Sequence, residues 1–172
     1  MNLDDISSGS LCVVDTNVLL YAEQGVSAQA QRLIERCAKG ELSITLPQTV
    51  WHEFTHKLML AEALMKGLIG SSGLAAKLAA KPDSVRKLSI YQTKVRALTD
   101  LGVGFEPCTH SDLTDSVFKL QQRYGLLTND ATVLAVALRL KADALVSSDR
   151  AFRDVQEIKV HVPSDLRFGT RG

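Results

Sequence analysis

Short apolar runs alternate with longer amphipathic stretches along the chain, and that alternation predicts an α/β fold. Leu11 to Asp15 is a short run, apolar up to its last residue and carrying β-branched Val13 and Val14, the pattern of a strand buried on both faces. Ser43 to Leu46, Val103 to Glu106, Ala144 to Val146 and Ile158 to Val162 give four further short strands. Helical patterns separate them. Ser27 offers an N-cap to SAQAQRLIERCAKG, where Ala30, Leu33, Ile34 and Cys37 share one face and Gly40 supplies the stop. Pro47 suits a first helical position and opens PQTVWHEFTHKLMLAEALMK, which ends at Gly67. Ser84 begins a helix to about Leu101, and Ser111 begins another to about Tyr124. Asn129 is expected to cap TNDATVLAVALRLKA, whose Val133, Leu134, Val136, Ala137 and Leu140 form a wide apolar stripe. The expected architecture is a three-layer sandwich, a central, mainly parallel five-stranded sheet flanked by helices. One domain over residues 1–172 is expected, with an inserted or extended helical or loop segment at about 65–83. That segment is Gly/Ser-rich, then Ala- and Lys-rich, and is expected to be mobile.

Composition narrows the class without naming a function. The 172 residues are 45% apolar and 23% charged, the profile of an ordinary soluble protein. Twenty basic side chains against 19 acidic ones give no global attraction to nucleic acid or membrane, so any basic surface must be local. Cys12, Cys37 and Cys108 are odd in number and fit no metal-ligand spacing, as expected for reduced thiols. MNLDDISSGS has neither a basic start nor an apolar run, and no stretch reaches the roughly 18 apolar residues of a membrane span. A cytoplasmic protein without a membrane partner is expected.

The acids change the picture. In open parallel sheets, ligands bind beyond the carboxyl ends of the strands, near the switch in strand order. Asp15 falls at the end of the first strand and Asp149 just past the fourth. Asp130 falls in the first turn of the helix feeding that strand, and Glu53 in the second turn of the helix after strand two. Taken singly each has a dull explanation, since Asp130 could simply favour a helix N-terminus and Glu53 could be solvated. Together they would repel one another, and four ionised carboxylates at one sheet edge call for a cation. Mg²⁺ or Mn²⁺ suits such hard oxygen ligands and supports hydrolysis of a phosphodiester.

The segments VVDTNVLLYA, WHEF, LLTNDATVLAVAL and LVSSDRAF resemble, in order, the PIN-domain nuclease family, and most of all its toxin-type ribonucleases of VapBC-like toxin–antitoxin modules. The resemblance spans about residues 11 to 162. It implies a PIN-like fold and a metal-binding, catalytic set of Asp15, Glu53, Asp130 and Asp149. Asn17 would help orient the cluster, and Ser147 would occupy the Ser/Thr position two before Asp149. It implies an Mg²⁺- or Mn²⁺-dependent endoribonuclease in which metal-activated water cleaves RNA to a 5′-phosphate and a 3′-hydroxyl. An antitoxin partner and a homodimer belong to the same expectation. The extra length at 65–83 departs from the smallest members.

Two other readings compete. An inactive PIN-like module would bind RNA or act as a scaffold, but all four acids are present. The stretch His52-Glu53-Phe54-Thr55-His56 also matches H-E-x-x-H, in which two histidines one turn apart bind zinc and the glutamate acts as base. A metalloprotease would need a third ligand, which KLMLAEALMKG does not supply, and it leaves three aspartates unexplained. Tyr21 and Trp51 could stack on bases, although core or helix packing is the stronger expectation; Lys57, Arg86, Lys87, Arg96, Arg150 and Arg153 could meet phosphates, although with net charge near zero most are expected to be solvated face residues.

Overall fold

Five strands make one parallel sheet in the computed structural model, which describes residues 1–166; residues 167–172 of the expected 1–172 span lie outside the described residues. The strands are β1 (Leu11–Val14), β2 (Ser43–Pro47), β3 (Gly104–Glu106), β4 (Ala144–Val146) and β5 (Lys159–His161), in the order β3-β2-β1-β4-β5. β1 is central because it can be buried on both faces and both edges. Cys12, Val13 and Val14 are fully buried, and Val13 lies opposite Thr45 on one side and Leu145 on the other. Helices α1 (Thr16–Glu23), α2 (Ala28–Ala38), α3 (Gln48–Met65), α4 (Leu74–Ala79), α5 (Pro82–Val85), α6 (Ile90–Asp100), α7 (Val117–Tyr124) and α8 (Thr128–Arg139) complete the α/β sandwich.

α8 goes deepest. Every residue from Ala131 to Ala137 is buried, so the helix is enclosed on nearly all sides rather than along one stripe. Its alternation of small and branched side chains lets it pack against the sheet while presenting its polar first turn at the edge. No described helix is long and apolar enough to cross a membrane.

Several element boundaries differ from expectation, each for a local reason. Pro47 closes β2 instead of opening α3: its ψ of 148° is extended, and it lies opposite Glu106 of β3. Asn129 lies inside the first turn of α8, whose cap position is Leu127; its side chain is approached by the Thr49 hydroxyl at 3.3 Å. Ser84 belongs to the short α5, and the longer helix starts only at Ile90. α1 is an addition, since VLLYA offers no polar face from which a helix could be read. The 65–83 segment folds as the end of α3 followed by α4 and α5, around a small second core of Ala63, Ile69, Leu78 and Leu88.

Candidate active site

The strand order creates a crevice. From β1 the chain builds outward through β2 and β3, then returns to the other side of β1 with β4 and β5. The carboxyl ends of β1 and β4 therefore flank the switch point at which open parallel sheets bind ligands. Asp15 follows β1 there, its N–H donating to Val146 O (2.9 Å), and Ser147 follows β4. The fully buried Ser147 Oγ donates to Asp15 Oδ2 (2.6 Å) and accepts the Asp149 N–H (3.0 Å). One hydroxyl thus ties the end of β1 to the loop after β4.

A second hydroxyl extends the chain of contacts. Asp15 Oδ1 accepts the Thr16 N–H (2.6 Å), capping α1, and Thr16 Oγ1 donates to Glu53 Oε2 (3.0 Å). The other Glu53 oxygen meets Lys57 Nζ at 2.8 Å, one turn along α3. Asp149 caps the single turn Arg150–Asp154 by accepting the Ala151 N–H (2.8 Å). Thr16 and Lys57 escape the sequence reading in these roles. Thr16 is flanked by the more conspicuous Asp15 and Asn17, although the E-x-x-x-K spacing of Glu53 and Lys57 on a helix is a legible signal.

Asp130 has the most exacting environment. Its carboxyl is pushed up to about 6, first by burial and then by the charges of Asp149, Asp15 and Glu53. Burial also raises Asp15, against the opposing hydrogen bonds from Ser147 and Thr16, and the charges of Glu53 and Asp149 raise it further. The four acids therefore share one electrostatic field. They do not share a ready ligand cage, because among the described residues no three acid, histidine or cysteine side chains converge tightly enough to hold an ion. Repulsion accounts for this arrangement: Asp15, Glu53 and Asp149 each settle on a protein donor of their own. The donor set is hard oxygen throughout, which fits Mg²⁺ or Mn²⁺ and not a thiolate- or imidazole-seeking ion.

Two clefts border the acids. A groove of about 350 Å³ is lined by Glu53, Leu127, Thr128, Asn129 and Asp130. On the other side, a cleft of about 650 Å³ brings Tyr21, Asp149, Arg150 and Arg153 together, with the Tyr21 hydroxyl 3.2 Å from Ser148 Oγ. Asn17 makes no hydrogen bond to any of the four acids among the described residues, and its Oδ1 is buried without a partner. Trp51 packs against Phe105, ring centroids 6.4 Å apart. His52 and His56 are exposed on α3 with no third ligand gathered among the described residues, and Glu53 is already engaged by Thr16 and Lys57. The geometry of a zinc protease is not assembled.

The model of the PIN domain matches residues 12–158. No curated protein matches the chain. Among solved structures, a toxin–antitoxin complex from Klebsiella pneumoniae superposes with a TM-score of 0.58 at 19% identity, covering 90% of this chain and 98% of that one. The VapBC2 complex from Rickettsia felis, bound to a DNA fragment from their promoter, gives 0.56 at 15% identity, with 88% and 98% covered. VapBC-1 from nontypeable Haemophilus influenzae gives 0.50 at 15% identity, with 88% and 97% covered. At such identities the likeness is one of fold.

Proposed function

This chain belongs to the PIN-domain family, and from that premise we propose that it is a divalent-metal-dependent endoribonuclease. The observation that supports the reading is that four carboxylates lie within one another's electrostatic reach beside the β1/β4 switch point. Asp15, Glu53, Asp130 and Asp149 come from four separate stretches of chain, and the Ser147 and Thr16 hydroxyls link three of them. These four carboxylates would hold Mg²⁺ or Mn²⁺, directly or through water. When bound, such an ion lowers the pKa of a water molecule and offsets the charge developing on a phosphodiester.

The remaining chemistry belongs to the protein. Ser147 holds Asp15 with one oxygen fixed while orienting the backbone of Asp149. Thr16 and Lys57 hold Glu53 at the rim, where it can turn toward a ligand without crossing the core. A cation among the acids would favour the ionised form of Asp130, whose carboxyl is otherwise raised to about 6. Arg150 and Arg153 in the adjoining cleft are placed to meet the phosphates of a bound strand.

The decisive experiment is cleavage of an RNA panel with and without Mg²⁺ or Mn²⁺, by wild type and Asp15→Asn. Wild type should cleave only with the ion present. Cleavage that survives chelation, or that is equal in the two proteins, sinks the proposal. The proposal extends to a single cytoplasmic domain that forms a homodimer and is restrained by an antitoxin, since the similar folds from Klebsiella pneumoniae and Rickettsia felis occur in toxin–antitoxin complexes. Co-expression with a small protein encoded beside it, followed by size-exclusion chromatography, tests that extension.

A further inference from the structure

The charge of this chain is not evenly spread. Residues 62–88 carry five basic side chains (Lys66, Lys77, Lys81, Arg86 and Lys87) against two acids (Glu62 and Asp83), a balance of +3. The rest of the chain then carries 15 basic against 17 acidic side chains, a balance of −2. The basic excess belongs to one lobe, formed by the end of α3 with α4 and α5 around the second core.

Within the lobe two cations are neutralised and three are not. Lys66 pairs with buried Glu62 at 2.6 Å, and Arg86 pairs with Asp83. Lys77 Nζ donates to Ser72 Oγ (3.1 Å) and Lys81 Nζ to Leu68 O (2.9 Å), neutral acceptors that place each ammonium without cancelling its charge. Lys87 is exposed and has no acidic partner among the described residues. The scaffold beneath them is fixed: Glu62 accepts the N–H groups of Ser89 (3.0 Å) and Tyr91 (2.9 Å), and Lys66 Nζ also donates to Lys87 O (3.0 Å). α3 carries both the lobe and Glu53, thirteen residues before Lys66, which is about 20 Å of helix.

The geometry points to a second RNA contact: the lobe of residues 62–88 is an electropositive exosite that grips the phosphate backbone of a substrate held at the acidic edge. The inference rests on the ribonuclease reading. An acidic edge repels a polyanion except where a bound cation intervenes, so affinity must come from elsewhere on the surface. Lysine suits phosphate as a point charge and is depleted in protein–protein interfaces, which favours RNA over an acidic protein here.

The test measures binding of a labelled stem-loop RNA to untagged Asp15→Asn protein over a series of salt concentrations. Lys77→Glu, Lys81→Glu and Lys87→Glu are combined in one variant and compared with a control reversing Lys119, Lys141 and Lys159. The lobe variant should bind at least tenfold more weakly, with the slope of log K against log salt shallower by about 2, the value for three contacts to a single strand. The control should change affinity by less than threefold. Equal losses in both, or an unchanged slope in the lobe variant, overturn the exosite. So does a polyglutamate peptide that binds the lobe directly yet leaves the RNA bound, the result expected of a protein-docking surface. If the charge reversals impair folding by circular dichroism, the corresponding Lys→Gln triple should show a smaller loss in the same direction, and no loss there also overturns it. Failure of the parent protein to bind or cleave any RNA would instead remove the ribonuclease reading, and the exosite with it.

Discussion

Two buried carboxylates in this molecule have opposite fates. Asp15 is 8% exposed and Glu62 is 3% exposed, so both lose most of their hydration. Burial pushes both upward, yet Asp15 ends raised and Glu62 ends lowered, to about 2. The difference lies in the company each keeps. Glu62 meets the Lys66 ammonium and the N–H groups of Tyr91, Ser89 and Ile90, which outweigh desolvation. Asp15 meets one hydroxyl and one N–H but also the like charges of Glu53 and Asp149. The fold satisfies Glu62 by itself; Asp15 is left short of positive charge. A buried acid answered by the protein is a structural anchor, and one opposed by other acids fits the metal site proposed above.

The strongest way to break this contrast is to neutralise one acid on each side. Asp15→Asn should cost at least about 100-fold in RNA cleavage, or roughly 3 kcal/mol of barrier, with the melting temperature unchanged or raised. A clear fall in stability with cleavage retained would reverse the assignment. Glu62→Gln should do the opposite and destabilise by about 2 kcal/mol through lost charge-assisted bonds at a buried site. Thermal melting reads that loss, and cleavage per folded molecule should stay near wild type.

The pH dependence sharpens the contrast. Glu62 falls from 4.5 to about 2 on folding, so its contribution is complete above about pH 4.5 and is lost as pH drops toward 2. Asp130 rises from 3.8 to about 6, so the folded state loses stability as pH climbs through that window. Asp130→Asn should therefore stabilise the protein by about 1 kcal/mol near neutrality, allowing for solvent screening of a partly exposed group, and by nothing below about pH 4. Denaturant melts at the two pH values check this, and an equal effect at both would contradict it. Added Mg²⁺ should raise the melting temperature of wild type more than that of Asp130→Asn.

Smaller effects separate the supports from the acids. Ser147→Ala removes the donor to Asp15 Oδ2 and should slow cleavage about tenfold, in the range of one positioned hydrogen bond. Lys57→Ala breaks an exposed ion pair and should change cleavage by no more than about threefold. A larger effect from Lys57 than from Ser147 would move the weight of the site to the rim of α3.

The sequence by itself determined the strands, the α/β class and the regions where the acids fall. Each of these follows from short-range pattern: short apolar runs that are buried as strands, DTN and SSD placed where two of those runs end, and ND at the start of the helix feeding the fourth strand. Only the tertiary structure decided what those groups touch. The start of α6 is fixed by Glu62 from α3, 27 residues before Ser89, a partner that the local pattern around Ser84 does not record. The link from Asp15 to Glu53 runs through Thr16 across 37 residues, and the link to Asp149 runs through Ser147 across 132. Local pattern records whether a residue prefers burial. It does not record which distant donor or charge will meet it there, and that pairing is what made Glu62 a structural anchor and left Asp15 facing its neighbours.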